Sequence, residues 1–405
     1  AIALLGFGLA LTFLSSFGQT FLVSLFVPSF LDAFSLSQGG FGAMYSAATL
    51  ASAAFLPWAG AMIDRKRLTR FSVGVVVLMA VSAVILAVAW SPWVLMIGLF
   101  GLRLSGPGLT SHTAMTAMAR YHGATRGRAL AVSGLGFPIG EALLPLLASV
   151  AIGAVGWRFT WGIVAAVSLV AFAPSLVLLL RRSGVELDPR RIETEPVQGS
   201  ARSWSRRDVV RDPRFLGILP AALLSPFWVT GLFLYQVVIG EAKGWSLTLI
   251  ASAFVAYAGA RVLGALVTGG LVDRYSAARI FPLALLPMAA VLLVMLASDA
   301  VPVAYVYMTG LGISVGMGTT VKPALWAELY GVEHLGAIKS MMGTLMVVGT
   351  AGSPVLVGVL LDRGVSLESI FMAGAATSVL GAMGAWVALR KGPRSGGAGP
   401  MPGAG

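Results

Sequence analysis

Four ionisable residues interrupt otherwise apolar stretches: Arg103, Glu141, Arg261 and Lys322. A charge at the centre of a bilayer costs about 2.5–3.5 kcal/mol on insertion scales, so each needs a partner or a task. A guanidinium meets a carboxylate through two parallel hydrogen bonds, a geometry that an ammonium cannot copy. Arg261, with Tyr257 one turn earlier on the same helical face, is therefore read as a group that binds a substrate carboxylate. The alternative is a structural pair with an internal carboxylate or helix-end carbonyls, for which the interiors of the last six apolar spans offer no acid. Glu141 is the one acid among the four, and is expected either to pair with Arg103 or to take up and release a proton. Lys322 stands near the end of its stretch, where it would snorkel to the headgroups or make a second anion contact. Three cations and one anion leave a net charge of +2, which favours an anionic guest over a cationic one.

Further polar and aromatic residues accompany them. Thr12, Ser15, Ser16 and Gln19 recur every three or four positions and form one stripe, which either lines a cavity or supplies hydrogen bonds between helices. Pro226 and Gly231 loosen a later helix beside Trp228 and Tyr235, aromatics placed to cap a small substrate or to face lipid at the interface. His112 could titrate near neutral pH and couple a proton, although a packed or water-facing imidazole is the favoured reading. The 3 His residues are scattered and there is no Cys, so thiolate metal sites, disulfides and cysteine catalysis are excluded. No phosphate-binding P-loop appears, and no cofactor is expected.

The elements that must position these residues follow from composition. The chain has 405 residues, of which 57% are hydrophobic and 11% charged, and its mean hydropathy is +0.88. Soluble domains carry roughly a quarter charged residues, so a single aqueous core cannot hide this surface and lipid must solvate it. A soluble enzyme, a disordered chain and a nucleic-acid binder are set aside. Breaks in hydropathy give twelve apolar spans of membrane-crossing length, at 4–27, 40–61, 71–91, 93–117, 130–152, 158–180, 215–239, 247–270, 280–298, 302–325, 340–361 and 368–389. The first span carries no basic leader and is read as a membrane segment. No ten-residue alternation suggests a β-barrel. The fold class expected is all-α and polytopic.

Basic residues orient the bundle. Of 28 Lys and Arg, 22 fall in loops on one side, 3 on the other and 3 within spans. That asymmetry places both termini in the cytoplasm, and the +12 net charge reads as a topology signal that also meets anionic membrane lipids. A bacterial inner membrane is the default setting. Residues 181–214 form one long polar linker, dividing a six-helix half at 1–180 from another at 215–391, and a Gly-rich tail at 392–405 is expected to be disordered.

The halves repeat at an offset of 209 residues. Gly60-Ala-Met-Ile-Asp64-Arg65 recurs as Gly269-Gly-Leu-Val-Asp273-Arg274, and Ser37 falls over Ser246. Internally repeated halves suggest a transporter with its site between them near the membrane midplane. The paired acid–base loops are expected to gate it: Asp64 with Arg65, and Asp273 with Arg274.

These loops resemble the signature of the major facilitator superfamily, and Arg103 in GLRLSGPG resembles its span-4 arginine motif, which implies a part in helix packing or proton coupling, with direct substrate contact as the other reading. Tyr121, Arg126, Ala129, Gly136, Pro138 and Gly140 are similar to the monocarboxylate-transporter signature, and Arg261 in YAGARVLG resembles the arginine with which monocarboxylate and oxalate carriers hold a carboxylate. Tyr257 stands where that branch has an acid. The resemblance implies a twelve-helix secondary carrier, acting as a monomer, for small organic anions. Coupling would be proton symport or anion exchange. The alternative is a proton-coupled exporter of drugs or organic cations that uses Glu141. A receptor or scaffold would bring a further folded domain, and the sequence offers none.

Overall fold

A computed structural model describes residues 2–122, 125–185, 206–331 and 335–390; most of the expected linker, the tail from Gly392 and His334 lie outside the described residues. The described residues are almost entirely helical, and ten helices are long and apolar enough to cross a membrane. An eleventh, α1, is a bent pair, Ile2–Gly18 and Thr20–Phe34, meeting at 44°. The others in order are α2 (Gln38–Asp64), α3 (Leu68–Ala87) and α4 (Pro92–Tyr121), followed by one helical run, Arg126–Ser183.

That run has 58 residues. A straight helix of this length would reach about 87 Å at 1.5 Å per residue, far beyond a hydrocarbon core of about 30 Å. It turns at Gly156, whose φ of 77° and ψ of 165° are open to glycine and strained for other residues. The break divides it into α5 (126–155) and α6 (157–183), matching the two spans expected there. After the linker come α7 (Pro213–Leu234), α8 (Leu247–Tyr275), α9 (Ala277–Ala297), α10 (Val301–Tyr330), α11 (Leu335–Asp362) and α12 (Leu367–Arg390).

Each start of α2 and α8 is set by a serine. Ser37 accepts a hydrogen bond from the Gly40 amide at 3.0 Å, and Ser246 accepts one from Leu249 at 3.2 Å. Both occupy the N-cap, where a side-chain oxygen satisfies an amide that the helix cannot. The same cap therefore recurs 209 positions on.

With no hydrophobic drive between helices in lipid, close packing depends on small residues. Gly312 and Gly316 of α10 lie directly on the backbone of α8 at Tyr257 and Arg261, so a Cβ at either glycine would collide with main-chain atoms. Gly136 does the same for α5 against α1 at Leu9 and Phe13, and a Cβ at Gly140 would strike the Ser16 side chain. Across the bundle α5 packs on α8, and α2 packs along α11. Large aliphatic side chains such as Leu147, Val170 and Leu266 face outward, as lipid-facing surfaces require.

Candidate functional site

The GLGFPIG run explains where Glu141 points. Its glycines seat α5 against α1, and the following residue, Glu141, turns toward α8 and is 6% exposed. There it forms an ion pair with Arg261, whose Nη1 donates to Glu141 Oε1. The partner expected for Glu141 was Arg103. Correctly placed, it is Arg261, a residue 120 positions away whose backbone is held by Gly312 and Gly316 of α10. Tyr257, one turn before Arg261 and fully buried, neighbours both charges. Glu141 Oε2 is buried and has no hydrogen-bond partner among the described residues. The site is thus a charge pair formed between the first six spans and the last six, with one acceptor oxygen left over.

Arg103 is occupied elsewhere. Gln19 adopts an extended conformation, φ −79° and ψ 152°, which interrupts α1. The amide of Leu22 turns to the Gln19 carbonyl, and Arg103 Nη1 donates to the carbonyl of Gly18 at 3.0 Å. A break inside a membrane helix exposes backbone groups that lipid cannot satisfy, and the guanidinium fills that role. Its Cζ also sits 5.4 Å from the centre of the Tyr45 ring, and Tyr45 in turn exchanges a hydrogen bond with Thr20 at 2.8 Å. The crossing is close because α4 is π-helical over Leu104–Thr110 and Gly106 lies against Gly18. Gln19 itself is half-buried at the bend, and the rest of its stripe joins helices: Ser15 bonds Ser111 at 2.8 Å, and Thr12 bonds the Ser133 carbonyl.

Lys322 does not snorkel. Its Nζ donates to the carbonyl of Ala222 on α7 at 2.8 Å. Four residues beyond Ala222 is Pro226, which has no N–H to offer that carbonyl. The lysine supplies the missing donor. The two remaining cations, Arg103 and Lys322, thus each serve a carbonyl that a helix defect has released.

The aromatics of α7 are built into helix contacts. Trp228 is 4% exposed and its indole N–H donates to Thr377 of α12 at 2.9 Å, so it is neither lipid-facing nor interfacial. The Tyr235 hydroxyl lies 2.7 Å from the Gln38 carbonyl of α2 and 2.9 Å from the Pro354 carbonyl of α11. Next to it Gln236 donates to the Phe21 carbonyl at 3.2 Å and to Ser24 at 2.6 Å. Gln236 had no signal in the sequence beyond being an amide in an apolar run.

At the end of the bundle that carries the basic loops, Asp64 pairs with Arg120 of α4 and not with its neighbour Arg65, which is exposed. His112 packs beside Gly60 in the turn before that acid. The repeat diverges here. Asp273 and Arg274 are exposed, Arg274 Cζ lies 5.2 Å from the Tyr275 ring centre, and among the described residues Asp273 makes no ion pair. Instead Glu328, near the end of α10, accepts the Ala277 amide at the start of α9 at 2.8 Å.

The described residues thus form a membrane-spanning helical bundle with a charge pair between its first and last six spans and with helix breaks met by buried cations. The chain belongs to the Major Facilitator Superfamily, whose family model matches residues 8–240 and 226–404. It is a multi-pass integral membrane transporter. Among solved structures it is similar to a bacterial homolog of the human lysosomal transporter Spinster. In the inward-facing, unoccupied form the two share 16% identity over 96% of each chain, with a TM-score of 0.69. In the inward-facing, occupied form the identity is again 16%, over 95% of this chain and 94% of the other, with a TM-score of 0.66. No curated protein matches significantly.

Proposed function

We propose that the protein is a secondary carrier of small organic anions, monocarboxylates first, working by alternating access between two six-helix halves with both termini in the cytoplasm. The observation that carries this reading is the Glu141–Arg261 pair. Arg261 is a carboxylate receptor already bound to an internal carboxylate, so a substrate acid competes with Glu141 for the same guanidinium. Once displaced, Glu141 would sit buried and charged, a state costly enough that it takes up a proton. Substrate and proton then enter together, which favours symport over exchange. Tyr257 beside the pair offers a hydroxyl to either carboxylate. Arg103 and Lys322 act at the released carbonyls and keep the local potential positive.

The exporter of organic cations retains one supporting observation, the free Oε2 of Glu141, which could accept an ammonium. A binding assay separates the two. Thermal stabilisation of purified protein is measured with lactate, pyruvate, formate, oxalate and a lipophilic cation, for wild type and for Arg261→Gln. A shift with one or more acids that disappears in the variant supports the anion site. A shift with the cation alone, kept in Arg261→Gln and lost in Glu141→Gln, overturns it.

A further inference from the structure

The side-chain hydrogen bonds that join the first six spans to the last six include a cluster at the end of the bundle opposite the basic loops. Asp362, the last residue of α11, accepts both free amides at the start of α2. Oδ1 takes Gln38 N–H at 2.9 Å and Oδ2 takes Gly39 N–H at 2.8 Å. A carboxylate on a helix N-terminus also meets the positive end of the helix dipole. One turn deeper, the hydroxyl of Tyr235, the C-cap residue of α7, sits between the Gln38 and Pro354 carbonyls, and Tyr235 is itself fully buried. Ser46 then donates to the Ala351 carbonyl at 2.5 Å, continuing the seam between α2 and α11.

The seam is tight because it is built on glycines. A Cβ at Gly39 would lie 2.8 Å from Asp362 Oδ2, and one at Gly358 would lie 2.6 Å from the Gln38 carbonyl oxygen and collide with the Tyr235 hydroxyl. A Cβ at Gly42 would strike the Pro354 carbonyl. The arrangement is also one-sided. Applying the 209-residue repeat, the start of α2 corresponds to the start of α8 at Leu247, but the position corresponding to Asp362 is Gly153. Among the described residues the twin helix start thus has its serine cap and no hydrogen bond to a carboxylate of the other half.

We propose that Asp362, Tyr235 and the Gly39–Gly42–Gly358 seam form a latch that holds this mouth shut and biases the carrier toward the state open at the basic end. Opening the mouth requires α2 to leave α11, which frees the amides of Gln38 and Gly39 and takes from Asp362, itself exposed, its two hydrogen-bond donors. The latch is independent of which substrate is carried, and its test needs no substrate.

The absence of Cys makes the test direct, since any introduced thiol is the only one. Thr49 of α2 is buried one turn along the seam from Ser46 and its hydroxyl has no partner among the described residues, so Thr49→Cys reports access with little disturbance. Labelling by a membrane-impermeant maleimide, added from the side opposite the basic loops, should be slow in the otherwise native protein. It should rise about tenfold or more in Asp362→Ala, as expected for losing charge-assisted bonds. Gly358→Ala removes no hydrogen-bonding group and should raise labelling by wedging the same seam. In parallel, spin labels at Ala33→Cys and Glu368→Cys should show a longer distance population in Asp362→Ala, Tyr235→Phe and Gly358→Ala. Asp362→Asn serves where the alanine variant does not fold. Labelling rates and distances unchanged in folded Asp362→Asn, Tyr235→Phe and Gly358→Ala would overturn the latch.

Discussion

Removing Arg261 should destabilise the protein far more than removing the whole Glu141–Arg261 pair. The Glu141 side chain is 8% exposed and that of Arg261 is 24% exposed, so the acid is the more desolvated partner. Arg261→Ala leaves that carboxylate with no counter-charge and with Oε2 already unpartnered. Breaking a buried pair from one side costs about 3–5 kcal/mol. Glu141→Ala strands the guanidinium, which is better solvated and still has Tyr257 nearby, so the cost should fall at or below the lower end of that range. The double variant Glu141→Gln/Arg261→Met strands neither charge, and replacing such a pair with residues of similar volume is often close to neutral. In the cycle closed by the single variants Glu141→Gln and Arg261→Met, the coupling energy should therefore be at least about 3 kcal/mol in magnitude, well beyond the few tenths by which independent sites depart from additivity. The assay is reversible unfolding in detergent micelles followed by tryptophan fluorescence. Lowering the pH should narrow the Arg261→Ala deficit, because a protonated Glu141 carries no charge to strand. Strict additivity of the single variants, with a coupling under about 0.5 kcal/mol, would refute the pairing and the reasoning that places it at the site.

Other substitutions test the remaining structural arguments. Lys322→Met leaves the Ala222 carbonyl without a donor and should cost about 1–3 kcal/mol; Pro226→Ala restores an amide to that carbonyl and should rescue the loss in the same unfolding assay. Gly156→Ala forces a side chain into φ 77° at the turn between α5 and α6, and should cost about 1–3 kcal/mol, read as a drop in folded yield on size exclusion. At the crossing of α1 and α4, a Cβ on Gly106 would lie 2.9 Å from Gly18 Cα, so Gly106→Ala should destabilise by about 1–3 kcal/mol in the unfolding assay. Asp64→Asn should leave stability within about 1 kcal/mol of wild type, since its side chain is 56% exposed and surface pairs are weak; a fall in transport at unchanged stability would identify the Asp64–Arg120 pair as a gate.

The spans were legible because lipid imposes a length of apolar sequence that few other environments demand. Even the turn inside the Arg126–Ser183 run was visible as a gap in hydropathy near Gly156. The choice of partners was not. Glu141 and Arg261 are remote in sequence, and only the seating of α5 by Gly136 and Gly140 and of α8 by Gly312 and Gly316 brings them together. The acid that meets Arg261 comes from the other half of the chain. The Gly18 carbonyl was not legible as the partner of Arg103, because nothing in LTFLSSFGQTF announces that Gln19 breaks its helix; a polar stripe reads equally as a continuous helix face. The Lys322 contact was within reach, since Pro226 determines which carbonyl loses its donor, but pairing it with a lysine on α10 required the packing of α7 against α10. Asp362 carried no signal at all as a lone acid after an apolar run, and became meaningful only against the start of α2.

The most direct test of the account is uptake of labelled lactate, pyruvate, formate and oxalate into proteoliposomes, with and without an inward proton gradient, for wild type, Arg261→Gln and Glu141→Gln. The account predicts saturable uptake of at least one acid by wild type, stimulated by the gradient, abolished in Arg261→Gln, and no longer gradient-dependent in Glu141→Gln. Failure of folded wild type to move any of these acids, together with proton-driven movement of a lipophilic cation that requires Glu141, would contradict it.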